Sequence, residues 1–331
     1  MSAADGRDGD DEDDGDDAAA SHYDVAIVGG GPAGCSAGVF TARYGLDTAV
    51  FDRGNSSLAR CAYLQNYLGF PGGIDVETFL ELARDHAGAA GCDVVEDMVE
   101  SIERGGESGG GFRVETQDGG PVTADRVVAA TRYGGEYLRP LDGDAMFETH
   151  EHDGEEHEHF DPDYADDDGR TPVEGLYVAS PAGERDVQAI VAAGQGAHVA
   201  RTLLAEWRRA EGLPEGVLAN HYDWLRPDSE FEGAWGERER WREWFDDRAA
   251  DAEVDDERLS TLRERAVDRA FETRRSDEEI QRLTDEGRRR LAEHLDPESL
   301  VEAVGSDAVL DAVDDEQIRE YLETEPVERT P

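Results

Sequence analysis

Tyr23-Asp24-Val25-Ala26-Ile27-Val28-Gly29-Gly30-Gly31-Pro32-Ala33-Gly34-Cys35-Ser36-Ala37-Gly38 is the stretch that decides the fold. Its first part, residues 23–28, carries an apolar, partly β-branched run that reads as a buried strand. The run passes directly into Gly29-x-Gly31-x-x-Gly34. Residues 33–43 then read as a helix closed by Gly45, and residues 47–51 as a second strand ending at Asp52, so that the whole is one βαβ unit. In such a unit Gly29 permits a tight turn, Gly31 lets the backbone approach a pyrophosphate at the helix N-terminus, and Gly34 lets helix and strand touch. Asp52 can accept hydrogen bonds from ribose hydroxyls. A glycine spacing alone has little specificity; the strand before it, the helix after it and the acid closing the next strand supply the context.

The remainder of the 331-residue chain is strongly acidic. Asp and Glu number 80 against 32 basic residues, all arginine, for a net charge of −48. Phosphate contacts need clustered positive charge, which excludes a nucleic-acid binder working through a basic face and disfavours an anionic membrane surface. Self-repulsion of this size is relieved at molar ionic strength, where the screening length is about 3 Å. The expectation is therefore a protein of a halophilic, haloarchaeal-type proteome, with residues 1–20 as an acidic disordered tail. Residues 25–42 are uncharged, but five glycines and Pro32 make them a nucleotide loop rather than a membrane span. The acidic start lacks the features of a signal peptide. Three scattered cysteines, Cys35, Cys61 and Cys92, suggest reduced thiols, so a cytoplasmic location is expected.

Further along, residues 75–90 have helical apolar spacing. Strand signals follow at 93–95, 99–102, 112–116 and 126–130. Residues 141–171 are acidic and lack periodicity, which reads as a loop or insert. Residues 175–179 are strand-like and 187–207 form a long helix rich in Ala and Gly. Charged helical segments occupy 256–274, 277–295 and 297–304. Ser276 with Glu279 forms a capping box, and Asp296-Pro297 an N-cap followed by Pro at the first helical position.

Four ordered blocks carry a resemblance: residues 24–34; Asn66-Tyr67-Leu68-Gly69-Phe70-Pro71-Gly72; Val127-Val128-Ala129-Ala130-Thr131; and residues 175–179 with Gln188-Ala189-Ile190 and Ala192-Ala193-Gly194. Over residues 22–206 the sequence resembles the FAD domain of thioredoxin reductases, members of the pyridine nucleotide-disulfide oxidoreductases. The fold class expected is α/β, a Rossmann-like FAD-binding domain (three-layer, mainly parallel sheet) with an α-helical C-terminal appendage. The domain limits are 21–141 with 171–207 for FAD, 142–170 for the insert and 208–331 for the appendage. The resemblance implies FAD with its pyrophosphate on Gly29, Gly31, Pro32, Ala33 and Gly34 and its adenosine ribose on Asp52. It also implies adenine near the backbone of Met98 and Val99, the flavin near Asn66, Gln188 and Ala189, and Thr131 close by.

The departures from that pattern bear on chemistry. Relatives insert a nicotinamide-binding domain bearing Cys-x-x-Cys between the two halves of the FAD domain; here about thirty residues stand in its place and no Cys-x-x-Cys occurs. Ala130-Thr131-Arg132 replaces Ala-Thr-Gly, and Ala179-Ser180-Pro181 replaces Ala-Gly-Asp, losing a carboxylate that holds the ribityl chain. Arg132 is either a pyrophosphate partner or a surface arginine. Cys61 is the catalytic candidate, against the alternative of a small buried packing residue, and Cys35 and Cys92 read as core. His150, His152, His157 and His159, interleaved with glutamates, are metal-ligand candidates, against the alternative of a solvated acidic loop. Trp224, Trp235, Trp241 and Trp244 read as packing for the appendage, with a partner or homodimer surface as the alternative.

Two functions are compatible with these residues. One is an FAD-dependent oxidoreductase passing electrons from NAD(P)H or a separate donor to a small-molecule or protein redox partner. The other is a non-catalytic flavin- or nucleotide-binding regulatory protein, which the missing dithiol favours.

Overall fold

Strand β1 (His22–Val28) lies at the centre of the sheet, as its apolar run requires: Val25, Ala26 and Ile27 are fully buried. The computed structural model describes residues 20–105, 110–132, 134–152, 155–179, 188–218, 224–252 and 254–324. The acidic tail and Ser180-Pro181 thus fall outside the described residues. Helix α1 (Pro32–Arg43) leads to β2 (Thr48–Phe51), and a 3-10 turn at Ser57–Arg60 and α2 (Val76–Ala90) follow. Next come β3 (Asp93–Val95), β4 (Val99–Arg104), β5 (Phe112–Thr116), β6 (Val122–Ala129), the short α3 (Arg139–Asp142), β7 (Phe147–His152), β8 (Glu155–Phe160), β9 (Leu176–Val178) and α4 (Ala189–Ala210).

Seven strands form the main sheet in the order β3-β2-β1-β6-β5-β4, with β9 also paired to β6. The β1–β2, β1–β6, β2–β3 and β6–β9 pairs are parallel, whereas β4–β5 and β5–β6 are antiparallel. Strand β6 serves two neighbours on its far edge: Val122–Ala124 pair with β5 and Val127–Ala129 with β9. This double use explains why β6 begins four residues before the expected strand at 126. The fold is the expected mixed α/β with a mainly parallel sheet and a helical C-terminal region. One core cluster includes Phe51, Ile102, Phe112, Val114, Leu138 and Met146. Cys35 and Cys92 are buried, as expected.

Residues 142–170 correct the reading of an irregular insert. Strands β7 and β8 form an antiparallel hairpin, with Phe147 opposite Phe160 and His150 opposite His157. Glutamate and histidine alternate along both strands, so the period of two carries no apolar contrast and the pattern is hidden from hydropathy. The hairpin is anchored by its ends. Phe147 and Phe160 meet edge to face at 6.0 Å and pack against the core cluster, and the Arg139 guanidinium lies 4.0 Å over the Phe147 ring.

The chain divides into two compact units, Met1–Ser57 with Ala87–Arg201, and Leu58–His86 with Thr202–Pro331. Leu58–His86, read from sequence as part of the FAD domain, thus groups with the C-terminal residues. The second unit holds α5 (Glu215–Leu218), β10 (Arg226–Pro227), α6 (Arg238–Arg248), α7 (Asp256–Glu272), β11 (Arg274–Arg275), α8 (Asp277–Glu293), α9 (Pro297–Val304), α10 (Ser306–Ala312) and α11 (Asp315–Thr324). One of its core clusters is Val217, Phe245, Ala249 and Leu262. Ser276 and Glu279 form the expected capping box, and Asp296 caps α9 ahead of Pro297. Trp241 packs against Trp235 and Trp244, with centroids 5.1 and 5.8 Å apart, and its indole N–H donates to the Trp235 carbonyl. Trp224 is 70% exposed.

Helix α8 is fastened to the Asp85 side of α2 inside this unit. Arg290 donates to both Asp85 carboxylate oxygens, at 2.8 and 2.7 Å, and His294 Nε2 lies 3.3 Å from Asp85 Oδ2. The Arg290 hydrogen bonds hold the Asp85 carboxyl down at about 2, despite an opposing effect of burial. A depressed folded-state pKa stabilises above the unfolded value near 3.9, and that stability disappears as pH falls from about 4 to about 2. With Arg290 half exposed, the contribution is about 1 kcal/mol. Asp85→Asn is therefore expected to lower the unfolding free energy by that amount at pH 6 and to converge with wild type near pH 2, as followed by denaturant titration. A constant difference across this window would show that the pair does not act through its charge.

Candidate nucleotide site

The loop Gly29–Gly34 opens at the carboxyl end of β1, between the ends of β2 and β6, where open α/β sheets bind ligands. The Gly29 N–H donates to the Phe51 carbonyl at 2.9 Å, and the Ala130 N–H to the Val28 carbonyl at 2.8 Å. Gly29 has φ +115°, and a Cβ there would stand 2.8 Å from the Ala130 carbonyl oxygen, so only glycine fits. A Cβ on Gly34 would fall 1.7 Å from the Gly29 carbonyl oxygen, which is the close helix-to-loop approach the spacing predicts. Gly31 caps α1 in extended conformation without a side-chain hydrogen bond, and Pro32 takes the first helical turn. The first-turn amides of α1 are thus not capped by the Gly31 position, and the positive end of the helix faces the loop. Among the described residues, a Cβ on Gly31 would have Ser56 Oγ alone within 4 Å, at 3.5 Å.

Asp52 is buried at the end of β2. Its side chain accepts from the Gly54 N–H at 3.0 Å, and its own N–H donates to the Val95 carbonyl at 2.8 Å. The carboxylate lies directly over Gly30, where an added Cβ would stand 2.6 Å from Oδ2. Gly30, which falls at a variable position of the spacing, is therefore as constrained as its neighbours. A second position invisible to motif reading is Gly196 on α4, whose added Cβ would meet the Ala33 carbonyl oxygen at 2.0 Å. The tract Ala192-Ala193-Gly194-Gln195-Gly196 is its only signal in the sequence.

The other expected residues distribute as follows. Thr131 follows β6, and its hydroxyl lies 2.9 Å from the buried Tyr137 hydroxyl. Burial raises the Tyr137 pKa, with the Thr131 hydrogen bond opposing it. Val99 begins β4 and is buried. The Met98 N–H donates to Asp97 Oδ1 and its carbonyl accepts from Gln117, so the Met98 backbone groups expected to meet adenine are already engaged. Asp97 also accepts from Asp118 and Gly119; burial raises its pKa, but these bonds together with those from Thr116 and Met98 leave it lowered. Gln188 and the buried Ala189 begin α4, with Ile190 and Val191 partly exposed beside them. Asn66 and Cys61 belong to the second unit, and Asn66 is exposed. Cys61 is exposed too, which corrects the packing alternative, and its thiol donates to the Tyr63 carbonyl at 3.3 Å. Burial pushes the Cys92 thiol up to about 12.

Residues 23–170 match the pyridine nucleotide-disulphide oxidoreductase family. The chain is 31% identical over 111 residues to thioredoxin reductase of Aquifex aeolicus, covering 33% of each chain. It is 27% identical over 120 residues to thioredoxin reductase of Debaryomyces hansenii, covering 33% of this chain and 36% of that protein. The matched stretch spans about a third of the length of these relatives. Among solved structures, a thioredoxin reductase from Gloeobacter violaceus is 19% identical with a TM-score of 0.46, covering 57% of this chain and 95% of that one. Among the described residues no helix is long and apolar enough to cross a membrane.

Proposed function

We propose that the protein is an FAD-dependent oxidoreductase related to thioredoxin reductase, transferring electrons from NAD(P)H or a separate donor to a small-molecule or protein redox partner. The observation that carries this reading is the Gly29–Gly34 loop. It presents the N-terminus of α1, where Gly31 supplies no side-chain cap, at the carboxyl ends of parallel strands, with Asp52 fixed over Gly30. Two features support a fit to the group: among the described residues no atom stands closer than 3.5 Å to a Cβ placed on Gly31, where a pyrophosphate would lie, and the Asp52 carboxylate at the end of β2 would take the ribose hydroxyls. FAD, when bound, supplies a two-electron centre between donor and acceptor. The chain's own residues hold the nucleotide end: Gly29 and Gly34 fix the loop against α1, Thr131 and Tyr137 close the end of β6, and Gln188 with Ala189 present the start of α4. Neither Cys35 nor Cys92 suits dithiol exchange, because both are buried and the Cys92 thiol stays protonated. Reducing equivalents would therefore pass to an acceptor outside the chain.

Protein purified in molar KCl is expected to carry flavin absorbance, or to acquire it on reconstitution, and to bleach anaerobically with NADH or NADPH. Asp52→Ala is expected to weaken FAD binding by one to two orders of magnitude, about 1.4–2.8 kcal/mol, with far-UV dichroism unchanged. A wild-type chain that takes up no flavin would exclude the proposal. Flavin binding with no reduction by either nucleotide, and no turnover of the dithionite-reduced flavin with any electron acceptor, would favour a non-catalytic flavin-binding regulator, the reading suggested by the missing Cys-x-x-Cys.

A further inference from the structure

We propose that the face of the β7–β8 hairpin opposite Phe147 and Phe160 binds a divalent ion of the zinc class through His150, His157 and His159, with Glu148 orienting His150. The register carries the inference. Residues directly opposite in an antiparallel pair share a face, and faces alternate along each strand. Phe147 pairs with Phe160 and Thr149 with Glu158, so these lie on the anchored face. Glu148 pairs with His159 and His150 with His157, so these four lie together on the other. The face is solvent-accessible, with His150 57% and Glu148 38% exposed.

The distances suit shared coordination. The His150 and His159 rings have centroids 6.0 Å apart. Two imidazoles on one tetrahedral ion, at roughly 2.0–2.1 Å per nitrogen, would place their centroids about 5 Å apart. His150 Nε2 lies 2.8 Å from Glu148 Oε1. A carboxylate on one ring nitrogen leaves Nδ1 to face the ion, the arrangement that orients histidine ligands in metal sites. Among the described residues no group of three or more His, Cys, Asp or Glu side chains is already gathered. Closure therefore requires rotation of exposed side chains, a motion faster than microseconds. Three imidazoles favour zinc, copper or nickel over the hard cations that a carboxylate-rich surface attracts. The inference stands on the hairpin alone, whether or not the chain binds flavin.

The test is a Zn²⁺ titration of the full chain against a chromogenic chelator, in molar KCl with excess Mg²⁺ to occupy plain carboxylate sites. The expected result is about one Zn²⁺ per chain, bound at least tenfold more weakly by His150→Ala and by His159→Ala and unchanged by His22→Ala. Glu148→Gln, which removes only the orienting charge, is expected to weaken binding roughly tenfold. Co²⁺ in place of Zn²⁺ is expected to give visible absorption bands from nitrogen coordination in the wild type. Failure of Zn²⁺ to compete against Mg²⁺, absence of the Co²⁺ bands, or full-strength binding by the folded His150→Ala/His159→Ala variant would each overturn the proposal.

Discussion

Gly34→Ala is expected to lower the unfolding free energy of the nucleotide-binding unit by about 3 kcal/mol or more, the upper end of overpacking penalties, and to abolish retention of FAD. The added methyl would sit 1.7 Å from the Gly29 carbonyl oxygen and 3.3 Å from the Ala130 Cβ. Contact with backbone cannot be relieved by a side-chain rotation, so either α1 lifts from the loop or the Gly29 turn opens. Gly29 already holds φ +115° with its N–H committed to Phe51, which leaves α1 as the part that moves. Displacing α1 separates the first-turn amides from the loop, the two elements that together make an anion site. Gly196→Ala should act from the other side, because its methyl would meet the Ala33 carbonyl at 2.0 Å. Gly88→Ala in α2, where nothing lies within 4 Å, is the matched control and is expected to gain about 0.5–1 kcal/mol from helix propensity. Denaturant titration and flavin content measured on the same preparations separate the two effects. An unaffected Gly34→Ala chain would show that helix and loop are not in this contact in solution.

Much of this arrangement can be read from residue order, because glycines at a turn and apolar runs of different period are strong local signals. The Gly29–Gly34 loop, α1, β2 and the Asp52 position all follow from one stretch, and the caps at Ser276 and Asp296 follow from two residues each. What could not be read has physical causes. The β7–β8 hairpin alternates two polar residue types, so only Phe147 and Phe160 mark its register, thirteen positions apart in sequence. Gly30 and Gly196 matter through partners, Asp52 and Ala33, that touch them only in three dimensions. The grouping of Leu58–His86 with the C-terminal unit rests on long-range pairs such as Asp85 with Arg290, 205 positions apart, which no local pattern announces. The charge of −48, which excluded a basic nucleic-acid face at once, proves compatible with local ion pairing: α6 and α7 are joined by Arg242 to Glu264 in a two-bond fork at 2.9 Å.

Phe245→Ala is the second large effect, expected to cost about 3–5 kcal/mol, the range for deleting a fully buried aromatic ring. Phe245 is 0% exposed on α6 and is the largest buried member of a cluster it forms with Val217, Ala249 and Leu262. So small an apolar cluster has few neighbours able to close the cavity, and most of the side chains flanking it are themselves small or partly exposed. The fork between Arg242 and Glu264 cannot compensate, because exposed pairs contribute about 0–1 kcal/mol and molar salt weakens them further. Loss of the ring should therefore unfold α6 and α7 together rather than loosen one of them. In a salt titration followed by tryptophan fluorescence, the variant is expected to need substantially more KCl than wild type to reach the folded baseline, since Trp235, Trp241 and Trp244 report directly on this unit. The flavin content of the same variant discriminates further. Retained flavin with lost tryptophan signal would show that the nucleotide-binding unit folds without an intact C-terminal core, whereas simultaneous loss would show that the two units fold as one cooperative system. An unchanged salt midpoint would mean that Phe245 is not buried in solution.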